Sequence, residues 1–90
     1  MFEVDMDTNK IKVYGTRWCG DTRRARFLLD SYHLDYEYLD IDESDESERI
    51  VREINHGNRS VPTIIFGDGS ILVEPDQEQL ENKLSILQNN

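Results

Sequence analysis

Twice before residue 55 the chain switches from a two-residue to a helical hydrophobic rhythm, and that alternation limits the fold more than any other feature. "IKVYG" (11–15) alternates and stops at glycine, as a short strand does. From Cys19 onward Ala25, Leu28, Leu29 and Tyr32 recur at helical spacing, which predicts a helix over roughly 20–32. "YEYLDI" (36–41) alternates again as a second strand. Ser44 or Asp45 then stands where an N-cap belongs, with Asp45 and Glu48 at capping-box spacing. Ile50, Val51 and Ile54 line one face of this second helix, and Gly57 is placed to stop it. "TIIF" and "SILV", separated by "GDG", read as a hairpin. "EPDQEQLENKLSILQ" opens on Pro75, offers Asp76 and Gln79 as a second capping pair, and lines up Leu80, Leu84 and Leu87.

The order β-α-β-α-β-β-α predicts an α/β fold, a four-stranded mixed sheet flanked by three helices on both faces. Its first half is a right-handed parallel crossover and its second half adds an antiparallel hairpin. No repeat, linker or low-complexity tract divides residues 1–90, which read as a single domain. The acidic first nine or so residues and the closing "QNN" are expected to fray.

Bulk chemistry removes several functions. A formal net charge of −9 argues against nucleic acid, which wants clustered Lys and Arg. No apolar run approaches the ~20 residues of a membrane span, and the start, "MFEVDMDTNK", lacks the basic and apolar regions of a signal peptide. "DIDESDESE" (40–48) has neither Gly at position six nor Glu at position twelve of a calcium loop and reads as an acidic cap on the second helix. His33 and His56 have no ligand spacing and read as surface residues, so no metal is expected. One cysteine cannot close an internal disulfide, which places the chain in a reducing cytoplasm.

Charge is uneven along the chain. Asp35 to Glu48 holds eight carboxylates, whereas Arg17, Arg23, Arg24 and Arg26 all lie within seven positions of Cys19. Cys19 falls just after the first strand, at the N-terminus of the first helix, and chemistry in α/β sheets gathers at the carboxyl ends of strands. Thiolate is the reactive form of cysteine, and unpaired N–H groups with the positive end of a helix dipole favour the anion. The Thr22 backbone N–H and hydroxyl are expected within reach of the sulfur. Arg17 and Arg23 add positive potential that Asp21 opposes. Trp18 is expected to shape the lip, and Gly20 to leave room for a second sulfur. Arg24 and Arg26 read as a solvated helix face.

"RWCGDT" together with "GNRSVPTIIFGDGSIL" (57–72) resembles the glutaredoxin family within the thioredoxin fold: Cys-x-x-Thr opens the first helix, and Ser-Val-Pro follows about forty residues later, before a hairpin. The similarity covers about residues 10–88, and "WCG" with the longer motif is most similar to the mycoredoxin-like branch, which serves low-molecular-weight thiols. The resemblance implies that Pro62 is cis and that the Val61 backbone pairs, strand-like, with the cysteinyl backbone of a bound thiol. It implies that Arg59 contacts a ligand carboxylate, and that the start of the third helix, Asp76 and Gln77, is a second carboxylate-binding end. Three positions depart from the common pattern. Thr22 replaces the second cysteine, Thr16 stands where many relatives carry lysine, and "VEP" replaces the Gly-Gly before the third helix.

The reading that follows is a monomeric, monothiol thiol–disulfide oxidoreductase. Cys19 accepts a low-molecular-weight thiol, glutathione or mycothiol, from protein mixed disulfides, and a second free thiol regenerates it. Two rivals remain at this stage. One is an iron–sulfur carrier holding a cluster through Cys19 and a bound thiol; the other is a redox-inert thioredoxin-fold interaction module.

Overall fold

The computed structural model describes residues 10–88. The expected fraying of residues 1–9 lies outside them, as does that of Asn89 and Asn90. The elements run β1 (Ile11–Gly15), α1 (Gly20–Ser31), β2 (Tyr36–Asp40), α2 (Asp45–Ile54), β3 (Thr63–Ile65), β4 (Ile71–Val73) and α3 (Gln77–Gln88). They follow the order read from the sequence. The four strands form one sheet, β2-β1-β3-β4. β1 pairs parallel with β2 and antiparallel with β3, and β3 pairs antiparallel with β4.

Alternation on β1 divides the core between two faces. Ile11 and Val13, joined by Ile64 and Phe66, meet Ala25, Leu28 and Leu29 of α1 and Leu80 and Leu84 of α3. Tyr14 points to the other face, where Ile41 and Val51 complete a smaller cluster under α2. Each of the buried Val, Leu, Ile and Phe side chains contributes about 1.5–3 kcal/mol of transfer free energy.

The helix ends show how local chemistry sets the boundaries. α3 opens on the expected capping box: the Gln79 N–H donates to Asp76 Oδ1 at 2.8 Å, and the Asp76 N–H donates to Gln79 Oε1 at 2.9 Å. At α2 the cap is Ser44, whose hydroxyl accepts the Ser47 N–H at 3.2 Å. The pairing of Asp45 with Glu48 does not form, because Glu48 is drawn to Arg52 and Arg59 instead. The helix stops at a left-handed His56 (φ 57°), one residue before Gly57 (φ 98°), and the Gly57 N–H closes the end on the Arg52 carbonyl at 2.6 Å. Gln88, expected to fray, is the last residue of α3, and its side-chain amide donates to the Tyr32 carbonyl at 3.1 Å.

Candidate functional site

β1 ends at Gly15, whose carbonyl accepts the Ile41 N–H at 3.0 Å and so joins the ends of β1 and β2. The turn that follows brings the Cys19 N–H to 3.4 Å from the Thr16 carbonyl, and α1 starts at Gly20. Cys19 is the N-cap, extended at φ −83°, ψ 121°, and its carbonyl accepts the first helical bond from Arg23 at 3.1 Å. Its side chain makes no capping hydrogen bond, so the thiol is left for chemistry at a helix end whose first N–H groups have no helical partners.

Opposite the thiol stands the loop before β3. The Val61–Pro62 peptide bond is cis. Cys19 Sγ lies 4.0 Å from the Val61 carbonyl oxygen, and the Glu74 N–H donates to the Pro62 carbonyl at 2.8 Å, tying the loop to the end of β4. Asn55, at the C-cap of α2, fastens the loop from below. Its amide donates to the Val51 carbonyl and, at 3.1 Å, to Thr63 Oγ1, which in turn donates to the Ser60 carbonyl at 2.7 Å. Sequence reasoning missed Asn55; its only signal was an amide at a helix end.

The arginines stand otherwise than their sequence spacing suggested. Arg17 lies 3.6 Å from Asp40 and 3.5 Å from Glu43, and Arg24 lies 3.2 Å from Asp21. Arg59 donates through Nη2 to Asp42 at 2.6 Å and through Nε to Glu48 at 2.9 Å. The second oxygen of Asp42 accepts the Trp18 indole N–H at 2.8 Å. Asp42 is therefore held below the ordinary carboxylate range, first by Trp18 and then by Arg59, and Glu48 by Arg52 and then Arg59. Arg23 donates to the Arg17 carbonyl at 3.4 Å and has no carboxylate partner among the described residues. Arg26 lies over the Tyr38 ring, 3.9 Å from its centre, and donates to the Tyr36 hydroxyl, so it braces α1 against β2.

Trp18, next to Cys19, is 67% exposed. Thr22 does not line the opening. With Ala25, Leu28 and Leu29 it belongs to the inward stripe of α1, and its hydroxyl is buried without a hydrogen-bond partner. Its side chain packs against Gly15 at the end of β1, and that contact encloses it in the core. The Asp76 N–H is already taken by Gln79, and the Gln77 side chain donates to Glu81, so what the start of α3 offers is backbone N–H of its first turn. Among the described residues no group of three or more His, Cys, Asp or Glu is arranged to hold a metal ion, and no helix is long and apolar enough to cross a membrane.

Comparison with known proteins agrees with this geometry. The family model Glutaredoxin matches residues 11–71. A glutaredoxin-like protein of Mycobacterium tuberculosis is 35% identical over 79 residues, spanning 88% of this chain and 94% of its own. Mycoredoxin 1 of Corynebacterium glutamicum is 30% identical over 79 residues, spanning 88% of this chain and 98% of its own. Among solved structures, the glutaredoxin of Methanosarcina mazei matches with TM-score 0.65 at 28% identity, over 87% of this chain and 80% of that one. A buckwheat glutaredoxin–glutathione complex matches with TM-score 0.70 over 97% of this chain and 91% of that one; at 18% identity it supports the thioredoxin fold alone.

Proposed function

The chain belongs to the glutaredoxin family of thiol–disulfide oxidoreductases, and from that premise we propose that it works by a monothiol mechanism, as a single-domain monomer in a reducing cytoplasm. The observation that carries this reading is the placement of Cys19, the only cysteine, at the open N-terminus of α1 and facing the Val61–Pro62 loop. Thr22 occupies the resolving position and is buried, so the second thiol must come from solution.

The Cys19 thiolate attacks the sulfur of the low-molecular-weight thiol in a protein mixed disulfide. A new S–S bond forms to Cys19 as the old one breaks, and the protein leaves as a thiolate that water protonates. A second molecule of the thiol, as thiolate, then attacks the bound thiol's sulfur. Cys19 leaves with the electron pair of the broken bond, and the product is the symmetrical disulfide of the small thiol.

Binding uses backbone more than charge. The free edge at Val61 pairs with the cysteinyl unit of the incoming thiol, exposed Trp18 flanks it while buried Pro62 sets the Val61 backbone from behind, and Arg17, Arg23 and Arg59 form the rim, with the first turn of α3 at Asp76 and Gln77 beyond. The mycoredoxin relative supports mycothiol as the co-substrate, and glutathione is the alternative of the same chemical class. Steady-state reduction of a peptide–thiol mixed disulfide by wild type and by Cys19→Ser tests the mechanism. Equal turnover by the two proteins would end it.

A further inference from the structure

Two arginines flank Cys19 from two different loops, and both arrive already neutralised. Arg17, two residues before the thiol, leans on Asp40 and Glu43. Arg59, two residues before Val61, is held through separate nitrogens by Asp42 and Glu48. Asp42 alone spans the opening. One of its oxygens takes Arg59 and the other takes the indole N–H of Trp18, the residue next to the thiol. Its own backbone N–H donates to Asp40 Oδ1 at 2.8 Å, which sets the loop after β2 in place.

We propose that Asp42 is a specificity-determining residue of this site: it turns the rim against thiols that carry carboxylates and toward thiols with an uncharged, hydroxyl-rich body. The inference rests on the thiol-exchange reading above. Asp42, Glu48, Arg52 and Arg59 carry two negative and two positive charges in one connected cluster. A carboxylate approaching Arg59 must therefore displace Asp42, which breaks the Trp18 contact as well, or join two carboxylates already there and meet their repulsion. A hydroxyl-rich thiol needs no free cation, and the unused lone pairs of Asp42 and Glu48 accept its O–H groups. Asp42 touches no reacting atom; it acts by holding Arg59 and Trp18.

The test compares Asp42→Asn, which keeps the shape and removes the charge, with wild type and with Asp42→Asn/Glu48→Gln. One peptide is offered in disulfide linkage to glutathione, and in parallel to N-acetylcysteine amide, which has no carboxylate. The expected result is a rise in the glutathione-to-neutral ratio of kcat/KM by about three- to fivefold in Asp42→Asn, the scale of one exposed ion pair. The rise should come through KM and be larger in the double variant. An unchanged ratio in both variants would overturn the proposal. If wild type turns over neither substrate, the thiol-exchange reading itself has failed. The proposal is then decided by calorimetric binding of S-methylglutathione in a Cys19→Ser background, where tighter binding with Asp42→Asn supports it and equal binding overturns it.

Discussion

Replacing Gly15 with alanine should unseat α1 from the end of β1, and the structure gives the scale of the damage. A Cβ at residue 15 would lie 2.5 Å from Thr22 Cγ2, 2.7 Å from its Oγ1 and 3.1 Å from its Cβ, whereas ordinary contact begins at 3.4 Å. Thr22 cannot swing aside, because it is fully buried. Overpacking of this kind costs about 2 kcal/mol, which for a chain of this size lowers Tm by about 8–16 °C. Thermal unfolding followed by circular dichroism measures it. The decisive comparison is Gly15→Ala in a Thr22→Ala background, where the two atoms closest to the new methyl are gone. The Thr22 hydroxyl has no partner to lose, so Thr22→Ala sacrifices packing and no hydrogen bond. The double variant should therefore recover at least about 1 kcal/mol relative to the sum of the single changes. Because Cys19 caps the helix being displaced, exchange activity should fall in Gly15→Ala and return in the double variant. Strict additivity of the two substitutions would refute the reasoning.

Two further outcomes are expected. Asp76→Ala removes the carboxylate that accepts the Gln79 N–H at the start of α3 and should cost about 1 kcal/mol, a Tm decrease of about 4–8 °C; Gln79→Ala, which keeps that cap and loses only the return bond to the Asp76 N–H, should cost less. Asp42 and Glu48 titrate below their ordinary values when folded, so the folded state binds fewer protons than the unfolded chain. The stability they contribute is thus complete above the ordinary carboxylate range and lost as pH falls below about 4. Fluorescence of Trp18, the only tryptophan, should report loss of the Asp42 contact in that acid window and show no such step in Asp42→Asn.

What the sequence made legible was chemistry confined to a few neighbouring residues. Asp76 and Gln79 sit three apart with nothing competing for them, and they cap α3 as their spacing says. Ser44 and Asp45 were both eligible caps for α2. The choice fell to Ser44 because Glu48, the box partner of Asp45, has stronger partners in Arg52 and Arg59. Arg59 reaches Glu48 across eleven residues, a distance that spacing alone does not bridge. The rim failed for the same reason. Counting along the chain finds arginines around Cys19, but the carboxylates that neutralise Arg17 and Arg59 lie between the end of β2 and the first turn of α2 and meet them only once β1 pairs with β2 and β3. Thr22 is near Cys19 in sequence, but its side chain is enclosed against Gly15, a contact between β1 and α1 that spacing along the chain does not show. The cis bond before Pro62 came from the family resemblance, and no local pattern in "RSVPT" would have supplied it.

The most direct test of the account is the intact mass of the protein after brief exposure to a peptide joined by a disulfide to mycothiol or glutathione, with no free thiol present. The account predicts one adduct, the mass of the small thiol on Cys19, with stoichiometric release of reduced peptide and loss of the adduct when free thiol is added. A protein that stays unmodified, or one that carries the peptide on Cys19 and releases the small thiol, would contradict it.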